Sequence, residues 1–153
     1  MTLRIAPRAL AVATVVALAR PLAAQQSADT SLYVRLGGVY AIALVVDYFV
    51  DRLEWNPTIR ANPAVREALT NPVKPGLKYR IIEMVCEATG GPCRYTGRPM
   101  DESHETLGIS EGEWQAMVEE FRRSLRRYKV PARESDELLA VVASTKTDIV
   151  TRP

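Results

Sequence analysis

The chain has 153 residues, and its 20 Lys and Arg, 18 Asp and Glu and single His give a formal net charge of +2. The first 24 residues hold three arginines and no acidic residue, so the other 129 residues carry a net charge of −1. That length suits one domain with one hydrophobic core, and that charge gives no general attraction to nucleic acid or an anionic membrane surface, so neither is expected as a partner.

The N-terminus has the pattern of a secretory signal peptide. Two arginines precede an apolar run over residues 9–19, and small residues end the segment at residue 24. The run is about half the roughly 20 apolar residues that a membrane-spanning helix needs. We therefore predict a cleaved signal over residues 1–24, a disordered leader over residues 25–30, and an exported protein, periplasmic or secreted, with no membrane span in the mature chain. An uncleaved anchor or a buried helix is the alternative.

Apolar residues recur at helical spacing along the remaining chain, and strand-like alternation is absent from the sequence. A short helix is predicted over residues 31–36, and it ends at Gly37-Gly38. The next helix has an apolar face over residues 39–53 and ends at Asn56-Pro57, because proline disfavours helical geometry in the residue before it. Another short helix is predicted over residues 63–69, with a proline in its first turn.

A long helix is predicted to begin near Pro75 and to end at Gly90-Gly91-Pro92, a sequence typical of a helix C-terminus. A short helix from about Met100 to Leu107 follows it. The long helix carries its apolar residues on one side, and these are Leu77, Ile81, Met84, Val85 and Ala88.

Two further helices complete the predicted domain. Ser110 and Glu113 have the spacing of a capping box, which begins the first, and Pro131 begins the second. The sequence therefore predicts an all-α domain of four substantial helices with short pieces between them. The apolar faces of these two helices are Trp114, Met117, Val118, Phe121, Leu125 and Tyr128 in the first, and Leu138, Leu139, Val142 and Ile149 in the second.

The two cysteines, Cys86 and Cys93, leave two interpretations open. Export would place them in a compartment where a disulfide persists, and Gly90-Gly91-Pro92 between them could let the chain fold back. Two small buried apolar side chains are the alternative. No Cys-x-x-Cys-His pattern is present, so covalent haem attachment of the c type is excluded.

His104 is the single histidine of the chain, and a neutral imidazole is the commonest protein ligand for metals and haem iron. Met100, His104 and Leu107 share one face of their short helix, because they are three or four residues apart. The apolar side of the preceding long helix could form the opposite wall of a pocket. A lone histidine is more often a solvated or core residue than a ligand, and an apolar stripe is more often ordinary core.

Four segments of the chain resemble the truncated haemoglobins of group I. The resemblance extends from Ser31 to Val150 and implies a truncated globin-like domain over residues 31–150, in which a two-over-two helical sandwich surrounds haem b. It also implies that His104 is the proximal ligand of the haem iron. The four segments are Ser31-Leu-Tyr-Val-Arg-Leu-Gly-Gly38, Ala41-Ile-Ala-Leu-Val-Val-Asp47, Thr89-Gly-Gly-Pro-Cys-Arg-Tyr-Thr-Gly-Arg-Pro-Met100 and His104-Glu-Thr-Leu-Gly-Ile109.

Several other side chains are predicted to surround the cofactor. The second ring nitrogen of a ligating imidazole usually donates a hydrogen bond, and the carbonyl of Met100, four residues before His104, could accept it. Cationic and hydroxyl side chains near the pocket rim could bind the haem propionates, with ordinary surface positions as the alternative; these are Arg80, Lys78, Arg98 and Tyr95. The predicted cofactor-binding residues are His104, Leu77, Ile81, Val50, Phe49, Met84, Val85, Arg80, Tyr95, Arg98 and Met100.

The chain departs from the family pattern on the other side of the iron. Where the family often has a tyrosine and a glutamine that hydrogen-bond oxygen, this chain has Val50 and Ile81, with Leu77 one turn earlier. The phenylalanine that often packs on the haem edge also has no counterpart, since Asn62-Pro63 occupies that place. Without a donor, we predict fast oxygen release and easy oxidation, with carbon monoxide or nitric oxide favoured by comparison.

The sequence therefore predicts an exported haem protein that binds oxygen, carbon monoxide or nitric oxide, with an electron donor that the sequence does not identify. Two other functions stay open: a haem-free globin-like sensor or interaction module, and weak redox activity toward nitric oxide or peroxide. The sequence has no residue set for hydrolysis and no phosphate-binding glycine loop. A ligand-binding protein is accordingly favoured over an enzyme.

Overall fold

A computed structural model describes residues 31–70 and 72–152. The predicted signal peptide and leader lie outside the described residues. Among the described helices, none has the length and apolar character that crossing a membrane would require. The helices are α1 (Leu32–Arg35), α2 (Gly38–Trp55), α3 (Pro57–Arg60), α4 (Pro63–Ala68), α5 (Lys74–Ala88), α6 (Met100–His104), α7 (Glu111–Arg127), α8 (Ala132–Ser144) and α9 (Lys146–Ile149), and the strands are β1 (Ile109–Ser110) and β2 (Val150–Arg152).

Polar side chains begin several helices. The Asn56 Oδ1 atom accepts hydrogen bonds from two backbone N–H groups of α3, and Asn62 does the same for α4; each is followed by proline at the start of its helix. The predicted capping box of α7 is confirmed, since Ser110 Oγ accepts from Glu113 N and the Glu113 carboxylate accepts from Ser110 N. Local sequence thus accounts for where these helices begin.

The end of α5 is fixed by Gly90 and Gly91. Gly90 has a φ of +85°, a left-handed conformation that favours glycine, and the N–H groups of Gly90 and Gly91 donate to the carbonyls of Glu87 and Cys86. A Cβ atom added at Gly91 would lie 2.5 Å from the Tyr33 ring and 2.7 Å from Cys86 Sγ. The predicted helix end is confirmed, and both glycines are required by geometry.

Helix α2 lies at the centre of the core. It packs against α5 and α7, while α8 packs against α7 and α1. Phe49 of α2 and Phe121 of α7 meet edge to face, with ring centroids 5.2 Å apart. The prediction of an all-α domain with four substantial helices is confirmed. The core cluster includes Ile42, Val46, Phe49, Val50 and Leu53 of α2, Phe121 and Leu125 of α7, and Leu138 of α8.

Two predicted helices differ from the structure. The helix predicted from Met100 to Leu107 ends at His104, and the last predicted helix is two helices, α8 and α9, which meet at Thr145. The strands β1 and β2 were not predicted; they form a parallel pair in which Ile109 lies opposite Val150. Strands of two and three residues are too short to show alternation, because one period of a strand is itself two residues.

Candidate cofactor site

His104 is half-buried near the end of α6, and its ring is held in a defined direction. The Nδ1 atom lies 2.7 Å from the carbonyl oxygen of Met100, the contact that the sequence predicts. Because a carbonyl oxygen can only accept, Nδ1 carries the proton of the neutral ring and Nε2 keeps its lone pair. Within residues 31–70 and 72–152, no side chain or backbone group is hydrogen-bonded to Nε2. The lone pair of Nε2 is therefore available to bind a metal ion.

The predicted apolar side of α5 is only half-covered by the rest of the protein. Leu77, Ile81, Met84 and Val85 are each half-buried, and Cys86 is the only apolar residue of α5 that is fully buried. The helix α6 packs mainly against α9 and not against α5. An apolar surface left in this state fits a flat apolar ligand.

Val50, Leu77 and Ile81 are the residues predicted to lie on the other side of the iron, and all three are apolar. Val50 of α2 is completely buried, and Leu77 and Ile81 of α5 pack against the same core. Tyr48 lies on another side of α2, because its ring packs edge to face against Tyr128 at a centroid distance of 6.0 Å. Phe49 also packs toward α7. Leu77 and Ile81 pack against the core cluster that includes Val50, and none of these three side chains has a hydroxyl or an amide.

Arg80 already has an anionic partner. Its Nη1 atom lies 2.8 Å from the Glu83 carboxylate and also donates to Thr96. Burial alone would raise the pKa of Glu83, but hydrogen bonds from Tyr79 and Thr96 and the charge of Arg80 outweigh it, so the pKa lies below its ordinary value. An ionised Glu83 neutralises Arg80, which weakens the expectation that Arg80 binds a propionate.

The other predicted rim residues differ in whether their side chains already bind another group of the protein. The Tyr95 hydroxyl donates a 2.8 Å hydrogen bond to the carbonyl of Arg98 and so fixes the loop before α6. Arg98 itself is exposed, and no salt bridge joins it to another residue in the described part of the chain. Lys78 is turned toward α2, where it binds Asp47 and Asp51 at 2.5 and 2.8 Å. Arg98 is the cation best suited to an anionic ligand group.

Cys86 and Cys93 form a disulfide with a Cα–Cα distance of 5.7 Å, which decides between the two interpretations that the sequence left open. The bridge joins the buried face of α5 to the loop that leads to α6. It therefore links covalently the wall that carries Ile81 to the segment that carries His104.

Asn62 is the residue that sequence reasoning missed. It is buried, with 9% of its surface exposed, and its Nδ2 atom donates a 2.9 Å hydrogen bond to the carbonyl of Leu107, shortly after His104. The Asn-Pro sequence predicts a helix cap, but nothing local indicates a partner 45 residues away. Among the described residues, no group of three or more His, Cys, Asp and Glu side chains could hold a metal ion.

Sequence comparisons identify similar proteins. The family described as bacterial-like globin matches residues 31–151. The group 1 truncated hemoglobin GlbN of Mycolicibacterium paratuberculosis is 28% identical over 127 residues, which cover 83% of this chain and 89% of the relative. The group 1 truncated hemoglobin LI410 of Chlamydomonas moewusii is 27% identical over 150 residues, which cover 97% of this chain and 82% of the relative.

Solved structures share the arrangement of the helices. The truncated hemoglobin from Tetrahymena pyriformis in its Fe(III) form has a TM-score of 0.66 and 22% identity, covering 78% of this chain and 97% of that one. The 2/2 hemoglobin from Synechococcus sp. PCC 7002, in the cyanomet state with covalently attached heme, has a TM-score of 0.65 and 26% identity, covering 80% and 99%. These similarities confirm the predicted two-over-two helical sandwich.

Proposed function

We propose, because the chain belongs to the bacterial-like globin family, that it is a haem protein and that it binds a diatomic gas at iron held by His104. Haem is the cofactor of the truncated haemoglobins that this chain resembles in sequence and fold. The observation that carries the proposal is the Nδ1 to Met100 contact of 2.7 Å, since it leaves Nε2 free for a metal.

The residues of the site fit haem. His104 would be the axial ligand, and the half-covered side chains of Leu77, Ile81 and Met84 would lie against the flat apolar ring. Exposed Arg98 would bind a propionate. Haem iron, when bound, supplies a coordination position at which a small gas can bind.

The apolar side chains of Val50, Leu77 and Ile81 would favour some gases over others. Val50, Leu77 and Ile81 have no side-chain group that could donate a hydrogen bond. Oxygen would depend on such a donor more than carbon monoxide or nitric oxide would. The missing hydrogen bond costs about 1–3 kcal/mol. Carbon monoxide and nitric oxide are accordingly favoured relative to oxygen, and oxygen binding is expected to be brief.

Absorption spectra of the purified protein with added haem test the proposal. We expect a Soret band in the ferric and ferrous forms that shifts when carbon monoxide binds. His104→Gly should lose the histidine-ligated spectrum, and added imidazole should restore it, because free imidazole can enter the space that the side chain leaves. Glu105→Ala, which changes the exposed neighbouring residue, is the matched control. A wild-type protein that takes up no haem would instead indicate a haem-free module, and steady consumption of nitric oxide or peroxide would indicate a redox enzyme.

Export to the periplasm or the exterior is also part of the proposal. The N-terminal signal pattern supports it, and so does the pairing of Cys86 with Cys93, because disulfides persist in oxidising compartments. Cell fractionation followed by N-terminal sequencing should find a mature chain that begins near residue 25. A full-length chain confined to the cytoplasm would contradict export.

A further inference from the structure

The segment after His104 is held by a polar cluster that the proposed function does not explain. Asn62 lies at the start of α4 and is buried. Its Oδ1 atom accepts from Ala64 N and Val65 N at 3.1 and 3.3 Å. Its Nδ2 atom donates to the Leu107 carbonyl at 2.9 Å. One side chain therefore caps α4 and also holds a turn that is distant in sequence.

That turn is directly connected to His104. The N–H group of Leu107 donates a 3.0 Å hydrogen bond to the carbonyl of His104. Leu107 is thus bound through its carbonyl to Asn62 and through its N–H to the residue that carries the imidazole. The imidazole itself is hydrogen-bonded to the carbonyl of Met100, the first residue of α6. The direction of the ring therefore depends on contacts at both ends of α6.

Glu113 reinforces the cluster from the other side. It is 7% exposed, and its carboxylate accepts from Ser110 N and Ser110 Oγ at 2.7 and 2.6 Å and pairs with Arg152 at 3.1 Å. Glu113 therefore fixes Ser110, three residues after Leu107, beside the turn that Asn62 holds.

Helix α6 has few other supports. It has five residues, which is too short for stability on its own, and its main packing partner is α9. The strand β1 that follows is paired only with β2 among the described residues. The hydrogen bonds of Asn62 are therefore a large part of what fixes the C-terminal end of α6.

We propose that Asn62 is a positioning residue for His104, which acts through Leu107 to set the direction of the imidazole. This role rests on the proposed function, since it concerns the residue that would bind iron. The alternative is that Asn62 serves only as the cap of α4.

The variant Asn62→Ser separates the two roles. Serine caps helices about as well as asparagine, but it lacks an amide that can donate to Leu107. Asn56→Ser is the matched control, because Asn56 caps α3 in the same way and also precedes proline, while its Nδ2 atom donates to Glu120 on α7 instead. Both variants therefore keep a capping oxygen and lose one long-range hydrogen bond.

Hydrogen exchange in the haem-free protein is the first measurement. We expect exchange at the Leu107 amide to be about 2- to 10-fold faster in Asn62→Ser, the change expected for one lost hydrogen bond, and unchanged in Asn56→Ser. Equal rates at Leu107 in wild type and Asn62→Ser would overturn the proposal. If Asn62→Ser does not fold, Asn62→Thr, which also keeps a capping oxygen and lacks the amide donor, takes its place, and an unchanged rate at Leu107 in that variant would overturn the proposal too.

The second measurement is the iron–histidine stretching band of the ferrous haem-loaded protein, by resonance Raman spectroscopy. We expect the band to shift or broaden in Asn62→Ser and to stay unchanged in Asn56→Ser. Faster exchange with an unchanged band would show a purely structural role and would overturn the proposal. A wild-type protein that takes up no haem would overturn the proposed function itself. The exchange experiment uses the haem-free protein, so its outcome does not depend on haem uptake.

Discussion

The two sides of the candidate pocket are held by different kinds of interaction. On the α5 side, α5 packs against α2, and Val50 of α2 is completely buried in the core. Lys74 and Lys78 add ion pairs to α2, with Lys74 lying 2.6 Å from Glu54 and Lys78 lying 2.8 Å from Asp51. This wall is built from two long helices with many shared contacts.

The α6 side has no comparable packing. His104 lies on a five-residue helix, and its direction depends on the hydrogen bond that its Nδ1 atom donates to the Met100 carbonyl and, through Leu107, on the hydrogen bond that Asn62 donates. The comparison shows that a rigid apolar wall can face a ligand residue whose position is set by a few polar contacts. Changes on the α5 side should therefore alter which ligand binds, whereas changes on the α6 side should alter how the cofactor is held.

Removing the disulfide should have the largest effect, because it is the covalent link between the two sides. Cys86→Ala combined with Cys93→Ala opens a loop with a sequence separation of 7, and the loss of stability expected from chain entropy is about 2–3 kcal/mol. Urea unfolding of the double variant measures it, with wild type plus and minus reductant as the control. Hydrogen exchange should rise over residues 91–107 and stay slow in α2. An equal rise in both regions would contradict the distinction between the two sides.

Introducing a donor on the α5 side should have the next largest effect. Val50→Tyr places a hydroxyl where the site has none, and a hydrogen bond to bound oxygen of about 1–3 kcal/mol corresponds to roughly 5- to 150-fold slower oxygen release. Stopped-flow measurement of oxygen dissociation tests this. Val50→Phe, which adds the ring without the hydroxyl, is the control. If wild type already releases oxygen as slowly as Val50→Tyr, the apolar-wall hypothesis is wrong.

Acid should weaken the packing of α7 on α2, by a smaller amount. Burial alone would raise the pKa of Glu120, but hydrogen bonds from Arg52 and Asn56 outweigh it and hold the pKa below its ordinary value of 4.5. The stabilisation is therefore present above pH 4.5 and is lost as the pH falls through the lowered pKa. Unfolding midpoints below pH 4.5 should depend less on pH in Glu120→Gln than in wild type. Glu119→Gln, at an exposed neighbour, serves as the control, and an identical pH dependence in all three proteins would refute the prediction.

The features that could be predicted from the sequence are those set by residues close together in the chain. The apolar face of α2, the end of α5 at Gly90 and the Met100 contact of His104 all depend on residues close together in the chain, so their spacing revealed them. The Asn62 contact with Leu107 joins residues 45 apart and leaves no local pattern. The parallel pair of β1 and β2 was missed for the same reason. The assignment of His104 as iron ligand comes from the family resemblance and stays a prediction.

The close approach at Gly91 limits how this sequence can vary. A methyl group there would push against the Tyr33 ring, whose hydroxyl accepts a 3.2 Å hydrogen bond from the N–H of Val39 at the start of α2. The same methyl group would press on the Cys86 sulfur of the disulfide. A single exchange of hydrogen for carbon at position 91 would therefore disturb the first turn of the domain, the central helix and the covalent link to α6 together. Random mutagenesis with selection for haem retention should recover no side chain at this position.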